Sequence, residues 1–213
     1  MKASEFKKLL KNEFSPALRN LGFKGSGFNY RKITNEHYIY TATVQSCTWG
    51  EGCWIELGVT TDFLPDTLGK EIDVKKVTPY KCEFRKRLKS PTSTINDSMW
   101  PYGNTEDEAN LSIEEMIQVF ETEGIAYFDK FKNFPEPLSS ITVEDIVTDI
   151  PRKNGLREYS MTEVRLALTL ARVHTFLGNK NEAIELCNWG LENIGRGIGL
   201  IEVFEDIKRK NMN

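Results

Sequence analysis

The sequence predicts an α+β fold: an antiparallel sheet of about four strands packed with helices, followed by a C-terminal helical extension. Three features point to it. Between residues 28 and 63, runs rich in β-branched and aromatic residues alternate in character and are separated by short polar or glycine turns. On either side, residues 4–21 and 112–131 repeat apolar positions at three- and four-residue steps, the mark of a one-sided helix. Beyond residue 137 strand signals stop and helical periodicity continues.

The first helix, 4–21, places Phe6, Leu9, Leu10, Phe14, Ala17, Leu18 and Leu21 on one face. Ser4 is its expected N-cap, and Gly22 its stop. Pro16 removes a backbone donor inside this pattern, so a kink or break is expected near Phe14 and Ser15. Strands are expected at 28–33, 37–47 and 53–63. In the second, Tyr38, Tyr40, Ala42 and Val44 share a face; in the third, Cys53, Ile55, Leu57 and Val59 do, opposite Trp54, Glu56, Gly58 and Thr60. Short connections make neighbours antiparallel, and hence a meander. A fourth strand is expected at 80–88, with Lys81, Glu83, Arg85 and Arg87 on one face and Tyr80, Cys82, Phe84 and Lys86 on the other. Residues 89–110 read as a long polar surface loop carrying the apolar island Met99-Trp100-Pro101-Tyr102. Ser112 and Glu115 have capping-box spacing, opening a helix to Phe131 with a weak point at Gly124. Phe134-Pro135-Glu136-Pro137 is the expected boundary. It divides an α+β domain, 1–137, from a helical extension packed on it, 138–213.

In the extension, a connector is expected at 141–150. Helices are expected from the Ser160/Glu163 capping box to Leu177, stopped by Gly178, then at 181–194 and 199–210. Residues 170–191 resemble one tetratricopeptide-type helical hairpin, with Ala171 and Ala183 small enough for close helix contact. A solenoid needs about three repeats, so the hairpin is expected to pack on the sheet domain.

Composition supplies a real core: 39% hydrophobic residues, with 12 Phe, 7 Tyr and 4 Trp among 213 residues, exclude wholesale disorder. The net charge of −3 excludes a generic polyanion binder, so nucleic acid is not an expected partner. No apolar run is long enough to span a membrane. Lys7, Lys8 and Lys11 interrupt any apolar leader, so a cytoplasmic location is expected. Cys47, Cys53, Cys82 and Cys187 are too few for a disulfide scaffold and read as free thiols, although Cys47 and Cys53 flank a turn across which they could pair. No metal or cofactor is expected: His37 and His174 lack ligand spacing to the cysteines. Glu144, Asp145 and Asp149 are explained by a helix start. Gly195-Arg196-Gly197-Ile198-Gly199 follows a helix rather than a strand and reads as a stop and linker.

Charge is the strongest local signal. Residues 75–89 hold seven basic side chains against Glu83, a local balance of +6, and residues 104–123 hold seven acidic side chains and no Lys or Arg, a balance of −7. Strand alternation puts Arg85 and Arg87 side by side, and guanidinium forks suit carboxylate or phosphate. One reading is an anion-binding strip of Arg85 and Arg87 lined by Trp54, Trp100 and Tyr102. The other is a solvated face neutralised by the chain's own acids.

Several pieces stand in a fixed order: Leu21-Gly22-Phe23, Gln45-Ser46, Leu57-Gly58-Val59, Cys82 with Arg85 and Arg87, Trp100, and the helix running into Tyr127-Phe128. Together they resemble the bacterial family known as domain of unknown function 4304, over roughly residues 3–135. That family often shows a Trp pair where this chain has Met99-Trp100. The resemblance implies a compact α+β domain and brings no reaction with it.

The functional expectation is a non-enzymatic binding or interaction protein, concretely an immunity or accessory partner in a toxin system, as a monomer or weak dimer. Its acidic stretch, with Glu106, Asp107 and Glu108, would complement a basic protein partner. The alternative is a small-ligand or enzyme domain taking a phosphate or carboxylate substrate on Arg85 and Arg87 near Trp100. A third reading is a scaffold whose C-terminal helices dimerise.

Overall fold

A computed structural model describes residues 1–47, 50–158 and 162–213. The first amphipathic stretch is two helices, α1 (Ala3–Asn12) and α2 (Phe14–Asn20), which meet at Glu13. Pro16 falls in the first turn of α2, where a missing N–H costs least. Phe6, Leu10, Phe14 and Leu18 are fully buried, so one apolar stripe continues across the break.

Among the described residues the sheet has six strands: β1 (Lys24–Ser26), β2 (Asn29–Ile33), β3 (Tyr38–Ser46), β4 (Gly52–Thr61), β5 (Phe84–Leu88) and β6 (Trp100–Pro101). β1 to β5 form an antiparallel meander in chain order, and β6 adds to the start of β4. The expected meander is therefore present, with two short extra strands. β3 and β4 form its spine, in a register that runs from Tyr38 opposite Thr61 to Ser46 opposite Cys53.

Alternation sends Tyr38, Tyr40, Ala42, Val44, Cys53, Ile55, Leu57 and Val59 to an inner face, all buried. That face packs against α1, α2, α3 (Glu106–Val119) and α4 (Ile125–Asp129). The seam is aromatic: Tyr40 stacks on Phe128 at 4.7 Å, and Phe120 receives Phe23 and Phe14 edge-on at 5.4 and 6.1 Å. Between α3 and α4 the helix widens into a π turn, Phe120–Gly124, at the glycine expected to be weak. The outer face is not open. The segment after β4 crosses it, burying Val77 and Pro79 and closing over Ile39, Thr41 and Gly58.

Two sequence expectations are corrected. The fourth strand starts at Phe84, because Pro79–Lys81 forms a 3-10 turn. Cys82 then lies on the outer face, its Sγ 3.7 Å from Thr41 Oγ1, while Phe84 points inward to Phe131 at 5.3 Å. The phase of alternation is broken at Glu83, and Lys81 does not line up with Arg85 and Arg87. The third helix starts at Glu106 with Thr105 as its cap, whose Oγ1 accepts from Glu108 N at 3.2 Å. Ser112 is interior to that helix, where its hydroxyl donates to Pro101 O.

The C-terminal part contains α5 (Val143–Val147), α6 (Ile150–Lys153), α7 (Glu163–Leu177), α8 (Lys180–Glu192) and α9 (Ile201–Met212). The Ser160 cap expected for α7 lies outside the described residues; Thr162 caps that helix. Gly178 ends it in a left-handed conformation, φ 77°. Ala171 and Ala183 are fully buried, as the helical-hairpin reading requires. These helices join the sheet half through specific ties. Phe63 stacks on Phe176 at 3.8 Å, and Arg172 donates to the carbonyls of Asp66 and Thr67. Glu83 Oε1 lies 2.6 Å from Arg165 Nη2. Glu83 is buried with Arg157 beside it, and burial raises its pKa against the opposing pull of both arginines.

Candidate functional site

The two charge blocks occupy different surfaces. On the outer face, β4 and β5 place Glu56 directly opposite Arg87, with Arg85 opposite Gly58. Glu56 is 1% exposed. Its Oε1 accepts from Arg87 Nε at 2.6 Å, and its Oε2 lies 3.6 Å from Arg85 Nη2. Arg87 also donates to Asp97 Oδ2 at 3.0 Å and lies over the Trp54 ring at 4.5 Å. Trp54 Nε1 donates to the Asp97 carbonyl, and Lys89 pairs with the Asp97 carboxylate. Those contacts hold the Asp97 carboxyl below its usual range, the Lys89 hydrogen bond contributing most. Arg85 lies over Tyr80 at 5.1 Å. Lys86, on the opposite face, meets Glu158 at 3.4 Å and Glu123 at 4.0 Å.

The fold thus brings together three of the five residues expected to line an anion strip: Arg85, Arg87 and Trp54. It separates Trp100 and Tyr102 from them. Trp100 lies opposite Cys53 on β4, which faces inward, and its ring is fully buried in the core. Tyr102 is buried against Phe6 at 4.8 Å. The apolar island in the polar loop is a strand edge plugged into the core, so neither aromatic lines a pocket with the arginines. The sequence reading passed over Glu56 in this role. A signal was present: it is the one carboxylate in a strand of otherwise uncharged residues, in phase with Trp54 and two residues from Gly58.

The second surface is the start of α3. Glu106, Asp107 and Glu108 are exposed in its first turn, where carboxylates complement the helix dipole. Beside them an open groove of about 580 Å³ runs between α3 and residues 90–95. Ser90, Thr92, Ser93, Thr94, Glu108 and Glu115 supply its polar lining, and Leu111 stands at its rim, 65% exposed. Glu115 anchors the far wall by accepting from the hydroxyls of Ser90 and Thr92. Among the described residues no Lys or Arg side chain lines the groove, and at its edge the Met1 ammonium donates to the carbonyl of Gly103. Among the described residues, the carboxylates from Glu106 to Glu121 on this helix make no ion pair, and Glu123 alone reaches a cation, Lys86.

All four cysteines are free. Burial raises the Cys53 thiol strongly and pushes Cys82 and Cys187 up to about 12, where thiolate chemistry near neutrality is suppressed. Among the described residues no group of three or more His, Cys, Asp or Glu is placed to hold a metal ion, and no helix is long and apolar enough to cross a membrane. His37 is half-exposed before β3, its Nδ1 2.9 Å from Asp62; His174 is buried in α7.

Comparison with curated proteins and with solved structures finds no match. The family model for Domain of unknown function (DUF4304) matches residues 14–130, which takes in α2, the whole sheet, both charge blocks, α3 and α4. That match spans more than half of the 213 residues, and the chain belongs to the DUF4304 family.

Proposed function

We propose that this protein is a non-enzymatic binding protein that takes a basic segment of a partner protein along the acidic side of α3. The carrying observation is the groove between α3 and residues 90–95. Among the described residues it is lined by carboxylates and hydroxyls with no Lys or Arg side chain, and it is flanked by the exposed Glu106, Asp107 and Glu108, which make no ion pair. A Lys- or Arg-rich segment would find counter-charges at the helix start, hydroxyl acceptors along the wall and an apolar foothold on Leu111. An immunity or accessory role in a bacterial toxin system is the setting we propose, since blocking a basic toxin calls for such a surface. Arg85 and Arg87 offer weaker support for an anionic substrate, because Glu56 and Asp97 already meet them.

The test is fluorescence anisotropy of a labelled Lys/Arg-rich peptide against the full chain. Binding that weakens with salt, and that falls at least tenfold in the triple variant Glu106→Gln, Asp107→Asn, Glu108→Gln, is expected. A thermal melt of the variant checks that it remains folded, since each lost N-terminal carboxylate costs the helix only about 0.5 kcal/mol. Equal binding by the wild type and the folded variant would overturn the assignment.

A further inference from the structure

A third charged surface lies at the β1 edge of the sheet. Lys24 on β1 stands directly opposite Arg31 on β2, and Lys75 reaches the same place from the segment that crosses the outer face. Like charges directly opposite each other weaken a strand pair, so the arrangement is unfavourable unless something offsets it. The chain itself does little. Among the described residues no carboxylate lies within ion-pair distance of Lys24, Arg31 or Lys75. Asp73, whose charge acts on Arg31 and Lys75 from beyond ion-pair distance, holds other partners: its Oδ2 lies 3.2 Å from Lys76 Nζ, and its Oδ1 accepts from Lys75 N. Arg31 is held in place by its Nε donating to the Val77 carbonyl, which fixes the guanidinium on the groove wall. Burial lowers its pKa, with Asp73 opposing.

The three cations line an open groove of about 330 Å³ whose other walls are Gly22, Gly25 and Ile33. The glycines offer only backbone, and Ile33 is 50% exposed. Three positive groups from three segments match a dianion with several acceptor oxygens better than a single carboxylate, which one guanidinium would satisfy. The apolar Ile33 beside them suits an organic substituent.

We propose that the groove formed by Lys24, Arg31 and Lys75 binds the phosphoryl group of a small organic phosphomonoester whose apolar part lies on Ile33. The site lies apart from the acidic groove on α3 and does not depend on the function proposed for it.

The experiment is an NMR titration of the full chain with phenyl phosphate, inorganic phosphate and, at matched ionic strength, chloride. Saturable shifts confined to residues around Lys24, Arg31 and Lys75 are expected with both phosphates and not with chloride, phenyl phosphate binding the tighter. Lys75→Ala and Lys24→Ala alter exposed side chains that carry no ion pair, and each is expected to weaken phenyl phosphate about tenfold, one charge-assisted hydrogen bond's worth. Three results would overturn the proposal: phosphate shifts that match chloride, unchanged affinity in both variants, or inorganic phosphate binding as tightly as phenyl phosphate.

Discussion

Glu56 and Arg87 face each other across β4 and β5, with Arg87 Nε 2.6 Å from Glu56 Oε1 and the carboxylate almost wholly withdrawn from water. Arg85 shares the same carboxylate and Asp97 also meets Arg87, so one buried acid ties two guanidinium groups together on the outer face. Its chemistry is that of a structural clasp. Glu56→Gln preserves volume but leaves two guanidinium groups facing a neutral amide. Removing one partner of a buried ion pair costs about 3 kcal/mol, and a urea melt should show a loss of that order. A loss under about 0.5 kcal/mol, the ordinary surface range, would place the pair among solvent-screened contacts instead.

Gly58 lies beneath the segment that closes the outer face. A Cβ there would stand 2.8 Å from the Pro79 backbone and 2.9 Å from Cys82 Sγ. The Pro79 backbone cannot swing away and the Cys82 side chain is fully buried, so Gly58→Ala should destabilise by about 2 kcal/mol through overpacking. The same strain should lift the 77–82 segment and expose the fully buried Cys82. Faster modification of that thiol by an aromatic disulfide reagent, compared with the wild type, is the expected readout; an unchanged rate would mean the segment absorbs the methyl group in place.

His174 carries the clearest pH dependence. Burial holds its pKa below the usual 6.5, with Glu182 opposing. The unfolded chain therefore takes up this proton at a higher pH than the folded chain does. Stability from this source is complete above pH 6.5, begins to fall as pH drops past that value, and is lost below the depressed folded value. His174→Gln should flatten that limb of the midpoint-versus-pH curve. Parallel curves for variant and wild type between pH 7 and pH 5 would contradict the assignment.

Much of the fold was legible because short-range rules governed it. Alternation along β3 and β4 assigned the inner face correctly, and Gly178 marked the end of α7, since both depend on neighbours in the chain. Legibility failed where a distant partner decided the outcome. Ser112 and Glu115 have the spacing of a cap, yet Pro101 takes the serine hydroxyl while Ser90 and Thr92 bond the glutamate. Alternation predicted that Arg85 and Arg87 would share a face. It could not carry that phase back through Glu83, which turns aside to meet Arg165 on a helix far along the chain.

Sequence by itself determined the α+β class, the family, the separate basic and acidic blocks, and most element positions, because periodicity, turn chemistry and charge are local properties. Tertiary structure alone decided what the charges do. Pairing of β4 with β5 set Glu56 against Arg87 and turned a candidate anion strip into an ion-paired clasp. Pairing of β6 with β4 drew Trp100 into the core, away from the arginines. At the start of α3, Glu106, Asp107 and Glu108 make no ion pair among the described residues, and the Met1 ammonium that folds back beside them donates to the Gly103 carbonyl. A side chain's charge is written in the sequence. Whether that charge is compensated depends on which distant group lies within a few ångströms, and that is a property of the folded chain.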